Sequence, residues 1–323
     1  MEPLLRGRFA PSPSGRMHLG NVFTALLAWL SVRAAGGTLV LRMEDLDPDR
    51  CREEYAQVLA EDLRWLGLDW DEGYQMGGPH GPYRQSERTE LYAARFRQLE
   101  QMGLVYPCFC TRAERLAASA PHRGDGQILY SGRCRSLSPQ EREELSRTRR
   151  SAWRLAVPDE RVSFIDGHLG YYEEDLCRAC GDFIIRRSDG VYAYQLAVVT
   201  DDGAMEINQV VRGQDLLDST PRQILLYRLL GLPQPVFYHV PLLLAEDGRR
   251  LSKRDMDLDM GALRARYSPE QLVGKLAFLA GLSPTGEPVR PAELAADFSW
   301  SKVPERDVIV RTTMFEEKCA QIK

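Results

Sequence analysis

Over the first hundred residues, apolar and polar positions alternate as short strands joined by helices. The segment Leu4 to Ala10 predicts a strand, and the β-branched and apolar stretch Thr38 to Met43 predicts another. Between them, His18 to Ala35 carries so little polarity that it predicts a helix buried on most sides. Further helices are predicted from Arg50 to Leu66 and from Arg84 to Met102. The second of these has Leu91, Tyr92, Phe96 and Leu99 on one face and Gly103 as its stop. Strands linked by helices predict an α/β fold of the Rossmann type. Its sheet is parallel, and its ligand crevice lies at the carboxyl ends of the strands.

The pattern changes after residue 103. Residues 104–180 hold clustered cysteines, a Gly/Ser-rich loop from Arg123 to Gly132, and short strand-like runs at Trp153 to Val157 and Val162 to Ile165. They read as an insertion. Alternation then resumes with strands at Phe183 to Arg186, Tyr192 to Val199 and Gln209 to Arg212, a helix at Ser219 to Leu230 and a strand at Val236 to Leu244. The last part is helical, at Met260 to Tyr267, Pro269 to Ala280 and Pro291 to Asp297. Four regions are therefore expected: 1–103 as the first half of the Rossmann-type domain, 104–180 as the insertion, 181–255 as its second half, and 256–323 as a C-terminal helical region. There is no internal repeat and no low-complexity tract.

Composition narrows the function classes. With 44% apolar and 27% charged residues, the chain of 323 residues is ordinary globular protein. No apolar run reaches the roughly twenty residues a membrane helix needs, and the N-terminus lacks the layout of a secretion signal, so a cytoplasmic location and no membrane partner are expected. The net charge of −4 gives no overall attraction to nucleic acid. No DNA partner is expected, and any RNA contact must use a local basic patch. Seven cysteines, an odd number, argue against a disulfide framework. Cys108 and Cys110 in a Cys-x-Cys, with Cys134 downstream, suit a three-sulfur structural zinc site that needs one more ligand. His122 is the chemically usual fourth. Cys177 and Cys180 form a CxxC without a thioredoxin-like context and read as incidental.

Two distant segments carry the strongest chemical signal. Arg8-Phe9-Ala10-Pro11-Ser12-Pro13-Ser14-Gly15-Arg16-Met17-His18-Leu19-Gly20-Asn21 reads as a strand end, a turn and a helix start, and Arg250-Leu251-Ser252-Lys253-Arg254 as a cationic loop. A helix N-terminus presents unpaired N–H groups to phosphate, and a lysine adds a full charge. Together they suggest activation of a substrate by a nucleoside triphosphate.

These segments resemble the HIGH and KMSKS signatures of class I aminoacyl-tRNA synthetases. The wording Arg8 to Gly15 is similar to the glutamate branch, as are Arg42-Met43-Glu44-Asp45-Leu46-Asp47, Tyr192-Ala193-Tyr194-Gln195-Leu196-Ala197 and Val211-Arg212-Gly213-Gln214-Asp215. The blocks stand in the family's order over roughly residues 4 to 255. The second histidine of the HIGH pattern is Asn21 here. The resemblance implies catalytic roles for His18 and Lys253, and ATP binding, with magnesium, by Ser14, Gly15, His18, Gly20, Asn21, Ser252 and Lys253. It implies glutamate binding by Arg8, Phe9, Ala10, Pro11, Ser12, Glu44, Tyr194 and Arg212. Arg8 or Arg212 would meet each carboxylate, Tyr194 would donate its hydroxyl, and Glu44 would take the ammonium. For the metal, it implies Tyr130 beside Cys108, Cys110 and Cys134, with His122 still open as the alternative.

About seventy residues follow Lys253, too few for a typical large anticodon-reading domain. The chain thus resembles the shortened glutamyl-queuosine tRNA(Asp) synthetase family. That resemblance implies tRNA-independent activation of L-glutamate by ATP. Transfer to the queuosine base at the wobble position of tRNA(Asp) would follow, with the anticodon stem-loop as RNA partner. The alternatives are charging of tRNA(Glu), or a non-catalytic RNA-binding or sensor role on the same fold.

Overall fold

The computed structural model describes residues 4–111, 130, 132–249, 251 and 258–315. His122, Ser252 and Lys253, named above as candidate ligands, lie outside the described residues. In chain order the strands are β1 (Arg6–Phe9), β2 (Thr38–Leu41), β3 (Glu72–Gly73), β4 (Val105–Cys108), β5 (Ala152–Leu155) and β6 (Arg161–Asp166). They continue with β7 (Gly170–Asp175), β8 (Ile184–Arg186), β9 (Gln209–Gly213), β10 (Val236–Val240), β11 (Leu243–Leu244) and β12 (Val308–Ile309). A five-stranded parallel sheet runs in the order β10-β9-β1-β2-β3. The chain moves outward from β1 to β3 and later returns to the other side of β1. The strand order therefore reverses between β1 and β9, where such sheets open a crevice at their carboxyl ends.

Strand side chains alternate between faces, and this divides the core in two. Leu39, Leu41 and Val211 pack with helices α1 (Leu19–Ala34) and α2 (Glu53–Trp65) and with the C-terminal helix Pro269–Leu279. Val40, Val210 and Phe237 pack on the opposite side with α3 (Thr89–Gln101) and the helices Tyr194–Ala204 and Thr220–Leu230. Helix α1 lies close to β1 because residue 7 is glycine. A Cβ there would stand 2.5 Å from Val32 Cγ2.

Residues 105–186 add a separate antiparallel sheet, β4-β5-β8, and a hairpin, β6–β7. The hairpin returns to the parallel sheet at its turn, where Gly167 N–H donates to Phe237 O at 2.8 Å. The short strand β11 pairs in parallel with β12, which ties the C-terminal region to the segment preceding residue 250.

Three elements differ from the pattern expected of the sequence. Tyr192 to Val199 is not a strand, since Tyr194–Ala204 is a helix buried at seven consecutive positions from Leu196 to Asp202. Burial on all sides removes the polar stripe that would have revealed a period of 3.6. Val236 to Leu244 is two strands rather than one, with Pro241 between β10 and β11 and unable to donate to a ladder. Ile184–Arg186 belongs to the antiparallel sheet, paired with β5, and not to the parallel one.

Candidate active site

The turn between β1 and α1 forms one wall of the crevice. Gly15 holds φ +150° within it, a backbone conformation that favours glycine. His18 is the N-cap of α1, and its backbone N–H donates to Asn21 Oδ1 at 3.3 Å. Asn21 thus spends its side chain on closing the helix end. The segment after residue 257 meets this same turn. Asp259 bridges His18 in antiparallel fashion, and Met260 N–H donates to Met17 O at 2.9 Å. On the other flank of the lysine loop, buried Leu251 donates its N–H to Leu243 O at 3.3 Å.

A cavity of about 560 Å³ opens here. Its walls include Arg8, Phe9, Ala10, Pro11 and Ser12 from β1 and the turn, then Ser14, Gly15, His18, Gly20 and Asn21, together with Glu44, Tyr194, Arg212 and Leu251. The structure thus brings together every described residue of the nucleotide and amino-acid sets. A second cavity of about 270 Å³ shares Ser12, Ser14, Glu44, Arg50 and Tyr194 with it and extends past Leu46, Cys51, Val191 and Tyr192.

One sheet face, which Arg8 and Arg212 present to the crevice, carries three arginines and a histidine in a row. Arg8 of β1, Arg42 just after β2, Arg212 of β9 and His239 of β10 all lie on the face that carries Val40, Val210 and Phe237. Their partners differ. Arg42 donates to Asp202 Oδ1 at 2.7 Å and to Glu44 Oε1 at 3.1 Å, and lies 3.8 Å from Asp201. Asp201 also accepts from Arg88 Nε at 2.6 Å, Gln85 Nε2 at 2.8 Å and Tyr92 Oη at 2.9 Å. Burial works against the Asp202 carboxylate, but Arg42 and then Arg8 outweigh it and hold its pKa below the usual range. For Asp201 burial wins, and the pKa is raised.

Arg212 is bound differently. It is 4% exposed, and it donates Nη1 to Gln223 Oε1 at 2.7 Å, Nη2 to Thr220 Oγ1 at 2.7 Å and Nε to His239 Nε2 at 3.1 Å. Among the described residues no carboxylate pairs with it. Burial pulls its pKa below the ordinary guanidinium value, and the nearby Arg8 charge pushes the same way. Because Nε2 of His239 accepts from Arg212, its Nδ1 carries the proton and donates to Asp166 Oδ2 at 2.6 Å. Asp166 comes from the end of β6, so the insertion's hairpin fixes the tautomer that orients Arg212. Burial keeps His239 neutral, with its pKa lowered despite Asp166.

Arg8 donates Nη1 to Val211 O at 3.2 Å and faces Asp202 at 3.6 Å. Glu44 has its pKa raised, first by burial, and shares its charge with Arg42. Tyr194 has its pKa raised by burial and by Glu44. This leaves a concave site with a buried cation, a second cation beside it and an acid across from them. It suits a zwitterion that carries an extra carboxylate.

The sequence patterns did not point to Asp166, His239, Asp201, Asp202, Gln223 or Thr220. A histidine inside the apolar run Val236 to Val240 was the one available signal for His239.

Away from the crevice, Cys108 at the end of β4, Cys110, and Cys134 in the 3-10 turn Arg133–Ser136 place their Sγ atoms within 4.8 Å of one another. Cys110 and Cys134 sulfurs are 3.5 Å apart. Tetrahedral zinc with bonds of about 2.3 Å separates its sulfurs by about 3.8 Å, so the three thiols fit a metal of that size. Tyr130 Oη lies 3.5 Å from Cys108 Sγ, and Arg154 sits 3.7 Å over its ring. Cys177 and Cys180 donate to backbone carbonyls instead, of Pro158 and Leu176.

No helix among the described residues is long and apolar enough to cross a membrane. Comparison with known proteins agrees with the geometry. A family model, tRNA synthetases class I (E and Q), catalytic domain, matches residues 4–312. The glutamyl-Q tRNA(Asp) synthetase of Symbiobacterium thermophilum is 52% identical over 94% of this chain and 95% of its own length. That of Nitratidesulfovibrio vulgaris is 50% identical over 95% of both. Glutamate–tRNA ligase 2 of Acidithiobacillus ferrooxidans is 48% identical over 77% of this chain but 52% of its own. Among solved structures, a glutamate tRNA ligase from Elizabethkingia meningosepticum, in complex with its amino acid, superposes with a TM-score of 0.83 at 29% identity. It covers 97% of this chain and 68% of that one. The chain belongs to the class I tRNA synthetases of the E and Q type, and it is a ligase.

Proposed function

We propose that this enzyme activates L-glutamate with ATP, without needing tRNA, and transfers it to the queuosine base in the wobble position of tRNA(Asp). The observation that carries the amino-acid choice is Arg212, a buried guanidinium whose partners among the described residues are all neutral. A buried charge held this way is stable only if an anion completes it. A substrate carboxylate supplies one in bidentate geometry.

In this reading Arg212, deepest in the crevice, takes the side-chain carboxylate. Arg8 steers the α-carboxylate, Glu44 accepts the ammonium and Tyr194 donates its hydroxyl. The α-carboxylate oxygen attacks the α-phosphorus of ATP, and pyrophosphate leaves with the bonding pair. No protein nucleophile is needed, so alignment and charge stabilisation carry the rate. His18, the N–H groups opening α1, Ser14, Gly15, Gly20 and Asn21 hold the nucleotide, and Ser252 and Lys253 hold its β- and γ-phosphates. Magnesium bound with ATP would offset phosphate charge. Zinc at Cys108, Cys110, Cys134 and Tyr130 would be structural. The 270 Å³ cavity beside Glu44 and Tyr194 is where the acceptor base enters.

Full-length relatives named for the glutamyl-Q activity favour this acceptor over tRNA(Glu). The test is glutamate-dependent ATP–pyrophosphate exchange without tRNA, followed by transfer of labelled glutamate to tRNA with and without queuosine. Expected are exchange in the absence of RNA and label only where queuosine is present. Label at the terminal adenosine of tRNA(Glu) instead would establish the second reading, a glutamate–tRNA ligase, which the Acidithiobacillus relative suggests. Lys253→Ala should cut exchange at least roughly tenfold, the loss expected of one transition-state interaction. Unchanged exchange would remove Lys253 from the mechanism.

A further inference from the structure

A groove of about 500 Å³ lies between the C-terminal end of the helix Pro139–Thr148 and the edge of β8. Among the described residues five arginines line it, Arg147, Arg149, Arg150, Arg186 and Arg187, and no acidic residue does. In a chain of net charge −4 this is a marked local concentration of cations. Two acids do stand nearby. Glu143 pairs with Arg147 at 2.7 Å and Asp189 with Arg187 at 2.6 Å. All four side chains are well exposed, so these pairs are weak and give way to a stronger anion. Trp153 adds a half-buried aromatic wall.

The groove is continuous with the acceptor cavity. Arg187 lines both. Arg186 donates Nε to Gly190 O at 3.2 Å, and its guanidinium lies 5.4 Å over the ring of Tyr192, which lines the cavity. The cavity in turn shares Ser12, Glu44 and Tyr194 with the crevice. A basic track therefore leads to an aromatic-walled cavity of about 270 Å³ and on to the activation site. That order matches a polyanion carrying one extruded base, since single-stranded RNA is gripped by its phosphates while a splayed base enters a pocket.

We propose that this arginine groove binds the phosphodiester backbone of the RNA loop that delivers the acceptor base. The inference rests on the reading of the acceptor as RNA. Its test keeps the two apart by measuring exchange and RNA binding on the same proteins. The variant R147E/R150E removes two exposed arginines that line neither the crevice nor the cavity beside it, and R147K/R150K keeps the charge. Binding is measured with total tRNA across a salt series, alongside glutamate-dependent exchange without RNA. The charge-reversed protein should keep wild-type exchange and bind tRNA at least tenfold more weakly. Its slope of log affinity against log salt should be smaller by about 0.7 for each phosphate it no longer neutralises. The lysine variant should retain most of the binding. Equal tRNA binding by wild-type and charge-reversed proteins, or no tRNA binding by the wild type, would overturn the groove. Absence of exchange in the wild type would instead overturn the functional reading and leave the groove to be judged by the binding series.

Discussion

Two buried arginines on one sheet face, Arg42 and Arg212, are equally deprived of water and oppositely provided with partners. Arg42 is fully buried and meets Asp202, Asp201 and Glu44. Arg212 meets a histidine, a threonine and a glutamine. The first is internally compensated and holds the helix Tyr194–Ala204 against the sheet. The second has no carboxylate partner among the described residues, and in the proposed function a substrate completes it. Burial alone therefore does not mark a functional charge. In the proposed function what marks it is the missing counter-ion, which a substrate carboxylate would supply.

The sharpest way to break this contrast is to remove one acid from the compensated cluster. Asp201→Ala would leave Arg42 and Arg88 with an uncompensated share of charge, and would strand the hydroxyl of Tyr92. A loss of about 3–5 kcal/mol in stability is expected, read by urea unfolding. Arg212→Met should behave inversely. Taking away an uncompensated buried charge leaves stability unchanged or higher, while glutamate binding loses about 2–5 kcal/mol. In exchange assays this would be a rise in the KM for glutamate of about 30-fold or more. If both variants lost stability alike, the distinction between scaffold and site would fail.

The thiol cluster sharpens the comparison from the opposite sign. Cys108, Cys110 and Cys134 gather three potential thiolates, and the cation beside them among the described residues is Arg154, over the neighbouring Tyr130 ring. Here the geometry, three sulfurs within 4.8 Å of one another, fits a metal ion. Protein loaded with zinc should melt higher than protein stripped by a chelator. At a hundredfold excess of metal over Kd the stabilisation is about 2.7 kcal/mol. Cys134→Ser should abolish that difference while leaving Arg212 and the crevice untouched. Metal analysis finding no stoichiometric zinc, and no melting difference, would reduce the cluster to packed thiols.

What the sequence exposed follows the same division. The β1–α1 turn was legible because a turn, a helix start and a phosphate site each demand particular residues, and Pro11, Ser12, Gly15 and His18 satisfy them within a dozen positions. The parallel sheet was legible because short strand-like runs alternate with helical ones. The helix Tyr194–Ala204 was not, since its buried run carries neither period, and the strand reading followed from its β-branched residues. Asp201 and Asp202 were invisible for a different reason. An acidic pair in a sequence reads as surface, and only the packing of the helix Tyr194–Ala204 on the sheet brings it to Arg42, just after β2, and to Arg88. Asp166 and His239 stand 73 residues apart on elements that no local pattern links.

That last pair gives the mildest test of the comparison, through pH. In the folded protein His239 has its pKa lowered, chiefly by burial, with the Arg212 and Arg8 charges acting the same way and Asp166 opposing. The unfolded chain takes up a proton near the ordinary histidine value of about 6.5, and folded His239 does not. The unfolded state thus binds more protons as pH falls below that value. The contribution of His239 to stability is complete above it and is lost as pH falls toward the folded value. His239→Gln keeps an oxygen to accept from Arg212 and an amide to donate to Asp166, and it cannot titrate. Stability measured between pH 8 and pH 5 should therefore fall less steeply in the variant than in the wild type. The KM for glutamate should rise more steeply on acidification in the wild type than in the variant, because a protonated His239 would stop accepting from Arg212 and repel it. Parallel profiles in the two proteins would mean that Arg212 is held by Thr220 and Gln223 alone, and that the Asp166–His239 pair belongs with the compensated scaffold rather than with the site.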